Sequence, residues 1–160
     1  MNILAVIPAR HASSRFPGKP LALVAGVPMI QRVYTRVQDA QACQKVVVAT
    51  DDERIAEAVR NFGGEVVMTS DKCPNGTVRC HEAAEQLEAN GEEFQAVLNI
   101  QGDEPFVHPE QIEQLADMLR NPDAAVVTLA KSMPADPEIE SPHRVKVVRN
   151  MSGRALMFSR

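Results

Sequence analysis

The residues best suited to chemistry lie in one early loop, Pro8-Ala9-Arg10-His11-Ala12-Ser13-Ser14-Arg15-Phe16-Pro17-Gly18-Lys19-Pro20-Leu21. Arg10, Arg15 and Lys19 supply three cations, Ser13 and Ser14 two hydroxyls, and Gly18 a position without a side chain. Such a loop suits a polyphosphate, because arginine forks chelate phosphate oxygens, lysine places a point charge, and glycine lets backbone N–H groups come close. A solvated basic loop has the same composition. The string is not a P-loop, since Gly18-Lys19 runs into Pro20 where Ser or Thr is required, and no GxGxxG dinucleotide signature occurs.

A second segment, Leu98-Asn99-Ile100-Gln101-Gly102-Asp103-Glu104-Pro105-Phe106, puts carboxylates directly after an apolar run. A carboxylate there can hold a hard divalent cation that bridges nucleotide phosphates, since Mg²⁺ prefers one or two carboxylates plus phosphate and water oxygens. Asp103 at the strand exit is the expected ligand, and Glu104 fits better as a cap for the helix starting near Pro109. In the third segment, Pro74-Asn75-Gly76-Thr77-Val78-Arg79, a glycine turn enters a helix. It can offer backbone groups and Thr77 to a base edge, with Arg79 reaching a carbonyl or phosphate; Asn75 or Thr77 acting only as a helix cap fits equally well.

The remaining polar residues carry less. Asp51 and Asp52 read as the start of the helix from Glu53 to Phe62. Cys80 falls on an apolar helical stripe and reads as core, and Cys73 as a loop thiol without a partner. His11, His81, His108 and His143 lack the mutual spacing of a metal site.

Strand-length apolar runs at Ile3–Ile7, Lys45–Ala49, Glu65–Met68, Ala96–Ile100 and Ala125–Leu129 alternate with helical periodicity. Ile30-Val33-Tyr34-Val37, Ile55-Ala58-Val59-Phe62, Cys80-Ala83-Ala84-Leu87 and Ile112-Leu115-Ala116-Leu119 repeat the i, i+3, i+4, i+7 spacing of an amphipathic helix. Consecutive apolar residues require cover on both faces, which predicts an α/β fold with a mostly parallel sheet flanked by helices. The polar loops then fall at the carboxyl ends of strands, where open α/β sheets bind ligands. Val145–Val148 and Ala155–Phe158 around Asn150-Met151-Ser152-Gly153 predict a C-terminal β-hairpin. Ser159-Arg160 follows directly, so the chain is expected to be truncated short of its natural end.

With 160 residues, 44% of them apolar, and a net charge of -4, residues 1–160 read as a single soluble domain. No apolar run reaches bilayer length and the N-terminus does not resemble a secretory signal, so membrane insertion and export are not expected. The three cysteines lack paired spacing, which suits a reducing cytoplasm. The acidic balance argues against nonspecific nucleic-acid binding.

Taken together, Ala9-Arg10, Ser14-Arg15-Phe16-Pro17-Gly18-Lys19-Pro20-Leu21, Ala49-Thr50-Asp51, Gly76-Thr77-x-Arg79, Gln101-Gly102-Asp103-Glu104-Pro105, Val145-Lys146-Val147 and Phe158-Ser159-Arg160 resemble the 3-deoxy-manno-octulosonate (KDO) cytidylyltransferases, the CMP-KDO synthetases of lipopolysaccharide assembly. The resemblance implies a Rossmann-like nucleotidyltransferase fold, Mg²⁺ dependence, CTP and KDO as substrates, and a homodimer in the full-length family. It further implies that Ala9, Arg10, Ser14, Arg15, Gly18 and Lys19 hold the phosphates, that Gly76, Thr77 and Arg79 address the cytidine, that Gln101 lies near the sugar, and that Asp103 anchors the metal. Arg10, Arg15, Lys19 and Asp103 are the implied catalytic set. Family chains usually have Ser-Gly-Thr, an acidic residue and then Arg where this one has Asn75-Gly76-Thr77-Val78-Arg79, and they continue well past Phe-Ser-Arg. The alternative expectations are a catalytically incomplete CTP-binding fragment and a cytidylyltransferase for another acidic sugar.

Overall fold

The computed structural model describes residues 1–12, 16–132 and 141–160. Ser14 and Arg15, both assigned to the phosphate loop, lie outside the described residues. The sequence reads as one domain; in the structure residues Met1–Val127 and Thr128–Arg160 form two compact units.

The first unit is built on four parallel strands, β1 (Ile3–Ala9), β4 (Lys45–Thr50), β5 (Val66–Met68) and β6 (Ala96–Asn99). Their order across the sheet is β5-β4-β1-β6, with Ala5 beside Val46 on one side and Leu98 on the other. Ile3 through Ile7 are at most 1% exposed. That is the burial their uninterrupted apolar run predicts, because alternate residues of a strand point to opposite faces and both faces here are covered.

The cover comes from four helices, α1 (Met29–Asp39), α2 (Glu53–Asn61), α3 (Gly76–Ala89) and α4 (Pro109–Leu119). Ile3, Ala5 and Ile7 pack with Ile30 and Val33 of α1, Ile55 and Val59 of α2, and Ile112 and Ala116 of α4. On the opposite face Leu4 and Val6 meet Cys80, Ala83, Ala84 and Leu87 of α3, with Phe94 packed against them. Burial pushes the Cys80 thiol up to about 12, in keeping with its place as core. Helix ends follow the local chemistry. Asp52 caps α2 by accepting from the Arg54 N–H at 3.0 Å, and Pro109 opens α4 after His108, whose N–H is received by Gln111 Oε1.

Two features depart from the expectation. Ala125–Leu129 is not a strand: no strand runs beside it among the described residues, and Val126 is 89% exposed. An apolar run becomes a strand only where a neighbour takes its backbone hydrogen bonds and a layer covers its side chains. The sequence reading also lacked the two-stranded ribbon of β2 (Leu23–Val24) and β3 (Val27–Pro28), turned by Ala25 and Gly26 with φ of 48° and 79°.

The second unit holds the expected hairpin, β7 (Lys146–Arg149) paired antiparallel with β8 (Ala155–Ser159). Asn150 closes it, its Oδ1 accepting from the Arg154 N–H at 2.8 Å. Every residue of β8 is exposed. Among the described residues no helix is long and apolar enough to cross a membrane.

Candidate functional site

The chain runs outward from β1 through β4 to β5, then returns through α3 to place β6 on the other side of β1. Loops leaving β1 and β6 therefore diverge, and a crevice opens at the carboxyl edge of the sheet between them. A cleft of about 570 Å³ lies there. The β1 exit contributes Pro8, Ala9 and Arg10, and the following loop Phe16, Lys19 and Pro20. The α3 entrance adds Cys73, Asn75, Gly76 and Arg79, and the β6 exit Gln101, Gly102 and Asp103.

Two glycines let these walls close on the end of β1. A Cβ on Gly102 would stand 2.9 Å from the Pro8 carbonyl oxygen, and one on Gly76 would stand 3.1 Å from Pro8 Cγ. Gly18, with φ of 72°, serves differently: its N–H donates to the His11 carbonyl at 2.9 Å and it leads into the 3-10 turn Lys19–Leu21. That turn aims Lys19 across the cleft.

Lys19 Nζ meets Asp103 Oδ2 at 2.6 Å, joining the basic loop to the β6 exit across 84 residues of sequence. The side chains are 37% and 52% exposed, so the pair faces solvent and is accessible to a ligand. Cation and carboxylate side by side match the two halves of a metal-bound phosphate: the ammonium attracts phosphate oxygens, and the carboxylate can hold a divalent ion. Among the described residues no group of three or more His, Cys, Asp and Glu side chains is gathered as a metal cage. A hard divalent ion such as Mg²⁺ would be compatible with Asp103 as a carboxylate ligand, with phosphate oxygens as further ligands.

At the α3 entrance, Asn75 caps the helix, its Oδ1 accepting from the Val78 N–H at 3.0 Å. The backbone N–H groups of the first turn and the partial positive charge of the helix end lie beside the cleft at Gly76. Arg79 is only 4% exposed, yet borders the cleft; Nη1 donates to Thr69 Oγ1 at 2.6 Å and Nη2 lies 3.2 Å from Asp51 Oδ1. Gln101 Nε2 donates to Asn99 Oδ1 at 2.9 Å.

Of the residues singled out in the sequence, Ala9, Arg10, Lys19, Gly76, Arg79, Gln101 and Asp103 line one cleft. Gly18 lies behind it as a turn former, and Thr77 is exposed and does not line it. Asp51 is no simple helix cap but the partner of Arg79. Cys73 also has a partner: its thiol donates to Glu82 Oε2 at 3.0 Å, and that hydrogen bond holds the thiol pKa above its ordinary value. Sequence alone offered a signal for Asp51, an acid at the end of a buried strand, but nothing in the spacing pairs it with Arg79.

Residues 4–160 match the cytidylyltransferase family. The 3-deoxy-manno-octulosonate cytidylyltransferase of Parabacteroides distasonis is 49% identical over 164 residues, covering 100% of this chain and 63% of that protein. The mitochondrial enzyme of the same name from Arabidopsis thaliana is 48% identical, covering 99% of this chain and 54% of its own length. A solved structure of CMP:2-keto-3-deoxy-manno-octonic acid synthetase in complex with CTP superposes with a TM-score of 0.82 at 38% identity, over 99% of this chain and 64% of that one. This chain thus spans less than two thirds of the length of each of these proteins. With a parallel sheet, a cleft at its switch point and a family match running from β1 through β8, the chain belongs to the cytidylyltransferase family.

Proposed function

We propose that the chain acts in CMP transfer from CTP to 3-deoxy-manno-octulosonate, giving CMP-KDO and pyrophosphate. The observation that carries this reading is the convergence of Arg10, Lys19, Gly76, Arg79, Gln101 and Asp103 on one cleft at the switch point of the sheet. The relatives named above act as supporting context for the choice of CTP and of the sugar.

In this reading the triphosphate lies along the β1 exit, with Arg10 and Lys19 against its oxygens. Arg15 and Ser14 belong to the same proposed loop, and Gly18 shapes it. The base rests at the α3 entrance near Gly76 and Arg79, with Thr77 on the outer side of the turn. Gln101 faces the sugar. The anomeric hydroxyl oxygen of KDO forms a bond to the α-phosphorus as it loses its proton, and the bond from that phosphorus to the bridging oxygen of pyrophosphate breaks. Little covalent chemistry falls to the protein; it orients the two substrates and neutralises charge building on the departing pyrophosphate. Asp103 would hold Mg²⁺, which when bound would neutralise phosphate charge beyond what Arg10 and Lys19 provide. Lys19, released from Asp103, turns to the phosphates.

The same reading places the protein in the cytoplasm, supplying activated KDO to lipopolysaccharide assembly, and as a homodimer. Release of pyrophosphate from CTP and KDO tests it: turnover that depends on both substrates and on Mg²⁺ supports transfer, whereas CTP binding without turnover assigns this chain to nucleotide binding alone. Turnover with another acidic sugar in place of KDO shifts the acceptor and leaves the nucleotide site standing.

A further inference from the structure

Arg79 carries a charge in a nearly fully buried position, which is tolerated only when partners meet both its charge and its N–H donors. Its partners come from two neighbouring strand ends. Asp51 directly follows β4, and Thr69 directly follows β5. The backbone holds these ends side by side, since the Thr69 N–H donates to the Thr50 carbonyl at 2.8 Å. One side chain thus ties the first turn of α3 to the carboxyl edge of the sheet.

A second tie lies one turn along the helix. Glu82 accepts from the Ser70 N–H at 2.7 Å and from the Cys73 thiol at 3.0 Å, fixing the segment that leads into Asn75. Asp51 and Thr69 do not line the cleft, whereas Cys73, Asn75, Gly76 and Arg79 do. Asp51 Oδ1 is itself buried and accepts no hydrogen bond among the described residues, so its link to Arg79 is ionic and depends on the carboxylate charge.

We propose that Asp51 and Thr69 are positioning residues for base selection: by clamping Arg79 they fix the Asn75–Arg79 turn where it meets the base. Neither touches the nucleotide. Their effect is therefore confined to the base end of the cleft, and the phosphate end around Lys19 and Asp103 is untouched. This inference rests on the reading of the cleft as a CTP site.

Calorimetric titration of Mg·CTP and Mg·ATP, which share a triphosphate and differ in the base, separates the two ends. The wild-type chain is expected to prefer CTP. In Asp51→Asn and Thr69→Val, CTP affinity falls about tenfold, or about 1.4 kcal/mol, while ATP affinity stays within about twofold. Thr69→Ser, which keeps the hydroxyl acceptor, retains the preference, and it decides the matter together with Thr69→Val if Asp51→Asn fails to fold. Full CTP preference in the folded variants, or equal loss for both nucleotides, overturns the inference while the proposed function stands. Equal binding of CTP and ATP by the wild type overturns the base reading, and the inference with it, before any variant is made.

Discussion

Replacing Gly102 by alanine adds one methyl group where the β6 exit leans on the end of β1. The new Cβ would lie 2.9 Å from the Pro8 carbonyl oxygen, 3.6 Å from Ile7 Cγ2 and 3.7 Å from Ile30 Cδ1. The first of these is closer than real Cβ contacts run, and its partner is backbone. That backbone cannot withdraw cheaply, because Pro8 is in register with Ala49 of β4 and the strand is held on both sides. Gly102 does not occupy the left-handed region, so the cost is steric and not conformational. Overpacking of this kind costs about 1–3 kcal/mol, and the loss of unfolded-state freedom on going from Gly to Ala returns about 0.4–1 kcal/mol. Central values of about 2 and about 0.7 kcal/mol leave a net cost of about 1.3 kcal/mol, which for a chain of this size lowers Tm by roughly 3–5 °C. Gly76→Ala is the control. Its Cβ would stand 3.1 Å from Pro8 Cγ, a ring atom able to give by a few tenths of an ångström, and alanine favours the helix that begins there. That variant is expected to stay within about 0.5 kcal/mol of wild type, the range of a substitution with no strong structural mechanism. Thermal unfolding followed by circular dichroism checks both. A Gly102→Ala protein as stable as wild type, or a Gly76→Ala protein equally damaged, would refute the packing argument.

Two further outcomes follow from the geometry. The Arg54 side chain, by hydrogen bonding to Asp52, holds that carboxyl at about 2, well below 3.8, so its contribution to stability is present above about pH 4 and is lost as pH falls toward 2. Asp52→Ala should cost about 1 kcal/mol at neutral pH through the lost cap, with the difference from wild type shrinking in acid denaturation series; a gap that stays constant from pH 6 to pH 2 would contradict this. In the hairpin, Leu156, Met157 and Phe158 of β8 are all exposed, and at ~25 cal/mol per Å² a few hundred Å² of such surface left in water costs several kcal/mol, which favours association wherever a contact covers it. Sedimentation velocity should show concentration-dependent self-association that Phe158→Ser weakens, and a strictly monomeric wild type at high concentration would be the opposite result.

Much of this architecture was legible because burial is written into short-range pattern. Five consecutive apolar residues in β1 demand two covered faces, and the helical stripes around Ile30, Ile55, Cys80 and Ile112 supply the layers that cover them. The cleft was legible for a related reason, since polar strings directly after buried strands fall at one edge of a parallel sheet. What escaped the sequence depends on contacts between distant segments. Ala125–Leu129 has the composition of a strand, but composition does not show that it pairs with no strand among the described residues. The Lys19–Asp103 pair and the Arg79–Asp51–Thr69 cluster join residues by side-chain reach across the sheet edge, and no periodicity encodes that. Thr77, whose motif points to the base, stands exposed in the first turn of α3 and is not among the residues that line the cleft.

The central claim is that the cleft between the β1 and β6 exits binds a metal-bound cytidine triphosphate through Lys19 and Asp103. Lys19 and Asp103 form a solvent-facing pair that contributes at most about 1 kcal/mol to folding, so Lys19→Ala and Asp103→Ala should remain folded and report on binding alone. Titration calorimetry of Mg·CTP into the wild type and these two variants is the direct measurement. One saturable site in the wild type, weakened at least about tenfold in each variant, is the expected result, a loss of about 1.4 kcal/mol or more. Absence of binding in the wild type, or unchanged affinity in both variants, would contradict it.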